Sequence, residues 1–452
     1  MNNLKFLAVD LPEDLKNLVI YGDFEKAEKL IDIYLKRNIS TMLKKRLNFE
    51  KHRMKILRKE YIYTYDHALK IAKEKIKNFT GEELDMLKDE RYADWQYING
   101  NVMFSNKFLD NILKVHPTME NRLINKRNEP DKRTMLLNET IEDMMEKGEK
   151  KYFIHVKTGI KLKKGSSRIN ETIKVHIPIP QNAIQIKNIK ILNTSHEPKF
   201  ISPQDHPQRT IYFEEKVKGE DIFTVEYSYE NHVKYTKLDY EKVSDIHPPF
   251  YTEQWPPHIV FTPFLVDLAK KIVGNETNPL KKAKNIYDYI TKNVQYSFVR
   301  PYAAILNIPE YAAHNLKGDC GVQGLLFITL CRIVGVPARW QSGLYVDPNY
   351  IGCHDWAQFY VEPYGWLFAD PSFGGSGYRK NNEKKRNFYF GNLDPFRMVA
   401  NSTFQYEFLP KKNFLRSDPC DNQVGEAEYL DEGIYDGDGF ESIKEIIDVH
   451  EI

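Results

Sequence analysis

Cysteine is scarce in this chain: four in 452 residues, at Cys320, Cys331, Cys353 and Cys420, with no CxxC spacing. So few thiols cannot form a disulfide framework, which favours a reducing compartment. No metal set stands out either, since Cys353 and His354 are adjacent and nothing else clusters with them. Asp436-Gly437-Asp438-Gly439 followed by Glu441 lacks the third oxygen ligand and the terminal spacing of a calcium loop. Long apolar runs are missing. The apolar patch within the first ten residues is too short for a signal peptide, and no window reaches a membrane-spanning length. Net charge is nearly absent, with 65 Lys/Arg against 63 Asp/Glu. There is no glycine-rich phosphate loop. These absences set the expectation of a cytoplasmic protein with no cofactor, no metal, no membrane and no nucleic-acid partner.

The charge that is present is unevenly placed. Residues 36–60 carry ten Lys/Arg against two Glu, and 418–452 carry twelve Asp/Glu against one Lys. Solvated helix faces and a solubilising acidic tail account for these most simply.

Four segments follow from patterning. Residues 1–148 predict a helical domain of unknown role. Ala27, Leu30, Ile31, Tyr34 and Leu35 recur at helical spacing behind Asp23 as a candidate N-cap. A basic stretch from Ile39 to Lys77 repeats apolar residues near heptad spacing, and Thr80 with Glu83 fits a capping box. Residues 151–235 alternate instead, in 173–177, 184–187, 210–213 and 223–227, between Pro, Asn and Gly turns; this predicts a small antiparallel β-sandwich. A third domain, 236–410, starts with a proline-rich connector (Trp255-Pro256-Pro257, then Pro263) and helices over 265–273 and 279–293. Residues 411–452 form the acidic C-terminal segment.

The chemistry concentrates in the third domain. Gly318-Asp319-Cys320-Gly321 precedes an apolar run that ends at Gly335-Val336-Pro337, which predicts a helix with Cys320 at its first turn. A helix N-terminus favours a thiolate, and the Cys320 N–H could donate to an oxyanion. Asp319 is the candidate cap, and Gly321 leaves space beside the sulfur for a carbonyl. A strand from His354 to Val361 turns at Glu362-Pro363-Tyr364-Gly365 and returns as Trp366 to Ala369. That hairpin brings His354 and Asp370 to one open end, within hydrogen-bond reach. A thiol, an imidazole and an orienting carboxylate are the three groups that acyl transfer through a thioester requires.

Gly318-Asp319-Cys320, the helix closing in Gly335-Val336-Pro337-Ala338-Arg339, then His354-Asp355-Trp356 and Trp366-Leu367-Phe368-Ala369-Asp370-Pro371, resemble the transglutaminase-like superfamily. The resemblance spans about 287–375. It implies an α+β protein: a papain-like transglutaminase core behind a β-sandwich and an N-terminal helical domain. Cys320 would be the nucleophile, His354 the base and Asp370 the orienting acid. Trp340 and Trp356 are candidates to wall a substrate cleft, and Tyr296 and Tyr302 to supply a second oxyanion donor. The expected activity is attack on amide bonds of a peptide or protein, with hydrolysis favoured over amine transfer. The alternative is a non-catalytic interaction scaffold that retains the triad.

Overall fold

The structure is a computed structural model, and it describes residues 3–125, 132–219, 221–244, 248–418 and 420–452. The chain is mixed helix and sheet. Its third domain is built on a five-stranded antiparallel sheet in the spatial order Phe390–Gly391, Gly365–Ala369, Tyr350–Val361, Ala338–Asp347, Arg397–Asn401. The helix Cys320–Ile333 packs on this sheet, with Phe327 edge-on to Phe359 and Gly324 against the Trp340 ring. Nearly every residue of that helix is buried, which is why its apolar pattern runs around the whole circumference and not along one stripe.

The predicted hairpin is present, with Ala357 opposite Ala369 and Val361 opposite Gly365. Its first strand is longer than expected and begins at Tyr350, because the Ala338–Asp347 strand pairs along all of it, from Asp347–Tyr350 to Ala338–Phe359. His354 therefore sits within a strand, next to an edge that the shorter return strand leaves open. Helices Pro263–Val273 and Pro279–Asn293 form where expected, each with proline in its first turn behind a Thr262 or Asn278 cap.

The sandwich has two antiparallel sheets. One runs Phe440–Glu451, Glu149–Leu162, Ile222–Lys234, Ile186–Thr194; the other runs Gly433–Ile434, Glu426–Glu428, Thr172–Pro178, Thr210–Lys216, Phe200–Ile201. Two of these elements correct the reading of 411–452 as a tail. Its last strand pairs with Glu149–Leu162 along nearly its whole length, and Glu426–Glu428 pairs with 174–176. The acids misled because in the terminal strand Ile446 and Val449 pack against the core while Glu441, Glu445, Asp448 and Glu451 face water.

The first domain is not purely helical. The basic stretch divides into helices Thr41–Glu60 and Tyr65–Lys75, separated by the strand Tyr61–Thr64, which joins a three-stranded sheet with Asn101–Ser105 and Trp95–Ile98. Aromatic and β-branched residues at 61–64 favour the extended form, and Thr64 then caps the next helix by accepting from His67 N. The Thr80–Glu83 capping box is present. Asp23 occupies its cap position but pairs with Lys26 at 2.5 Å and makes no cap hydrogen bond. One apolar core runs from Leu137 through the sandwich into the Cys320 helix, so the second and third domains are fused.

Candidate active site

Cys320 is the first residue of its helix, and Asp319 is the N-cap, accepting from Val322 N at 3.1 Å. His354 Nε2 lies 2.7 Å from Asp370 Oδ2. The other Asp370 oxygen accepts from the Ser372 hydroxyl and from Phe373 N, both at 2.9 Å, so Asp370 also caps the helix Pro371–Arg379. That short helix, rich in glycine, was not visible in the sequence. Arg397 was missed too. Fully buried, its guanidinium is 3.0 Å from Asp370 Oδ2 and 2.5 Å from Asp394 Oδ2. Burial alone would raise the Asp370 pKa, but His354 and Arg397 outweigh it and hold the carboxyl below its usual range. Burial lowers the His354 pKa, with Asp370 opposing, so the imidazole is neutral at rest.

The thiol does not take the partner expected of it. Cys320 Sγ donates to Asp355 Oδ2 at 3.3 Å. Among the described residues, no hydrogen bond joins it to His354, and His354 Nδ1 has no protein hydrogen bond. His354 and Asp355 are consecutive in a regular strand and leave it on opposite sides. The sulfur meets that strand at the Asp355 side chain, two residues before the last rung of the return strand, Ala357–Ala369.

Asp355 is in turn held by residues beyond the hairpin. Its Oδ1 accepts from Gln423 Nε2 at 2.6 Å, and the same nitrogen is 3.1 Å from the His354 carbonyl. Asp421, bonded to the Ser342 hydroxyl and to Asn401 Nδ2, lies alongside. The Tyr302 hydroxyl donates to Asp319 Oδ1 at 2.7 Å and is 3.4 Å from Asp355 Oδ2. This cluster reverses the thiolate expectation. Burial, then the charges of Asp355 and Asp319, push the Cys320 pKa well above its usual value, against the helix terminus. Asp319 is raised to about 6 by burial, with Tyr302 and backbone N–H groups opposing. Asp355 is also raised, by burial and then by the neighbouring Asp421 charge. At rest the site holds a neutral thiol beside a neutral imidazole.

A cavity of about 630 Å³ opens onto the sulfur, lined among others by Tyr296, Tyr302, Asp355, His52 and Lys59. The helix Thr41–Glu60 thus forms one wall of the cleft, and the Lys59–Asp438 ion pair ties it to the C-terminal segment. Trp340 and Trp356 are not cleft walls. They are 2% and 0% exposed: Trp340 packs edge-on to Phe404, and Trp356 donates to Gln341 Oε1 at 2.9 Å. Strand alternation assigned each ring a face, and both faces turn out to be covered. Gly321 is likewise not open space, because a Cβ there would lie 2.1 Å from the Tyr302 hydroxyl and 2.6 Å from Asp355 Oδ2. Tyr302 lines the cavity, but its hydroxyl is committed to Asp319.

Residues 266–371 match the model of the transglutaminase-like superfamily, so this segment is a transglutaminase-like domain. An uncharacterized protein of Haemophilus influenzae is 28% identical over 137 residues, covering 25% of this chain and 37% of that protein's length. Among solved structures, a candidate cysteine protease from Cytophaga hutchinsonii is similar at a TM-score of 0.38 and 15% identity, covering 66% of this chain and 98% of the other. The periplasmic domain of TgpA from Pseudomonas aeruginosa is similar at 0.28 and 12%, covering 52% and 92%. Among the described residues no helix is long and apolar enough to cross a membrane.

Proposed function

We propose that the chain is a cysteine amidohydrolase acting on amide bonds of a peptide or protein, through a thioester on Cys320. The observation that carries this reading is the His354–Asp370 pair at 2.7 Å, buried and braced by Arg397, on the strand that meets the Cys320 sulfur at Asp355. In the proposed reaction the thiol swings from Asp355 to His354 Nδ1 and gives up its proton as sulfur bonds to the carbonyl carbon. The imidazolium, stabilised by Asp370, returns that proton to the leaving nitrogen as the C–N bond breaks. Water then attacks the thioester as His354 takes its proton, and the C–S bond breaks as that proton passes to the Cys320 sulfur. Asp355 and Asp319 support water over an amine as acceptor, since their oxygens can hold a water beside the thioester.

A second reading, a scaffold without catalysis, is favoured by one fact: the thiol's hydrogen bond goes to Asp355. Peptide hydrolysis by the full chain separates the two. Amide cleavage abolished by both Cys320→Ala and His354→Ala supports the enzyme; cleavage that survives either substitution, or none in the wild type across a broad peptide set, supports the scaffold. Adding methylamine shows which acceptor wins, from the ratio of acid to N-methylamide products.

A further inference from the structure

A second cavity, of about 640 Å³, lies between the first domain and the connectors into the third, away from Cys320, and its walls include Arg46, Arg53, Arg300 and Gln96. Glu50, fully buried, takes Arg46 Nη1 at 2.6 Å and Arg53 Nε at 2.8 Å. Arg300 lies 3.6 Å from Asp94 and donates to Gln96 Oε1 at 3.4 Å. Three guanidinium groups therefore gather beside Glu50 and Asp94, with Glu60 adding its charge near Arg300. Asp10 and Lys16, both exposed at the rim, offset each other.

Donors are in excess. Arg46 Nε, Arg300 Nε and Gln96 Nε2 are all buried and have no hydrogen-bond partner. Buried N–H groups without acceptors are costly, and an anion, which offers only acceptors, relieves that cost. The rest of the lining is apolar, with Leu7, Val19, Phe24, Leu57 and Leu306 among it.

We propose that this cavity is a binding site for a small organic anion, its carboxylate or phosphate group held by Arg46, Arg300 and Gln96 and its apolar body by the surrounding side chains. The site is separate from the cysteine chemistry and stands whether or not the chain is an amidohydrolase. Arg300 lines both cavities, and two residues on, Tyr302 holds the cap of the Cys320 helix.

Calorimetric titration of the full chain with octanoate, octyl phosphate and octanol tests the site. At least one of the two anions is expected to bind at one per chain and at least about tenfold more tightly than the neutral alcohol; which of them binds tells carboxylate from phosphate. Arg46→Met leaves the Glu50–Arg53 pair intact and removes one of the guanidinium donors, so it is expected to fold and to lose at least about tenfold in affinity. Gln96→Leu removes one donor and the long Arg300 hydrogen bond while keeping all three guanidinium charges, and it is expected to weaken binding too, which keeps the test decisive if Arg46→Met does not fold. No binding of either anion by the wild type, octanol binding as tightly, or wild-type affinity in every variant that folds would each overturn the proposal.

Discussion

Cys320 Sγ donates to Asp355 Oδ2 at 3.3 Å, while the residue before Asp355, His354, is engaged with Asp370. The thiol is thus held by the residue next along the strand from His354. Asp355→Asn removes the carboxyl group that accepts from the sulfur and leaves an amide of the same size. Cys320 should then alkylate with iodoacetamide at pH 7 at least about tenfold faster, the effect of a one-unit fall in its pKa. Cys353 is exposed, so the rate is best followed on the Cys320 peptide in a Cys353→Ser background. An unchanged rate would mean that Asp355 does not restrain the thiol.

The carboxyl cluster has a pH signature. Asp418 is raised to about 7, by burial first and then by the Asp421 charge. A carboxyl whose native pKa exceeds its unfolded value, about 3.9, binds more protons when folded, so its contribution to stability is complete below pH 4 and is lost as the pH rises towards 7. Asp418→Asn keeps an oxygen for the Cys420 and Asp421 N–H groups but no longer titrates. Relative to wild type, the variant should gain stability between pH 5 and pH 8 in urea unfolding. A difference that stays flat across that range would exclude the shift.

Gly321 is fixed by its neighbours. Gly321→Ala puts a methyl group against the Tyr302 hydroxyl and Asp355, an overpacking expected to cost about 1–3 kcal/mol. Tyr302→Phe removes the closest atom, so the double variant should recover part of that loss in denaturant titration. If the two losses simply add, the contact is not what fixes the glycine.

The terminal strand is structural. A chain ending at residue 439 uncovers an edge of Glu149–Leu162, with Ile154, Val156 and Ile160 beneath it. It should lose its cooperative thermal transition or aggregate through the freed edge, as light scattering would show. A truncated chain that melts at the wild-type temperature would restore the reading of this segment as a tail.

The sequence made legible what depends on local order. The Cys320 helix, its Asp319 cap, and the hairpin pairing of His354 with Asp370 all follow from turn chemistry, capping and strand period. What stayed hidden comes from distant parts of the chain. Arg397 sits in an unremarkable stretch, and only sheet pairing next to Ala338–Asp347 carries it to Asp370. Asp421 and Gln423 lie in a region whose acidity suggested solvent, yet they brace the strand beside the sulfur. Trp340 and Trp356 have the composition of a cleft wall, and nothing local in the sequence reveals that Phe404 and Gln341 cover them.

The most direct test is to look for the thioester itself. Wild-type protein incubated with peptide substrates and quenched in acid should carry, by mass spectrometry, an acyl group on the Cys320 peptide that hydroxylamine removes. The same treatment of His354→Ala should show none. An adduct of equal yield in His354→Ala, or none on Cys320 in the wild type while peptides are cleaved, would contradict the assignment of Cys320 and His354 as nucleophile and base.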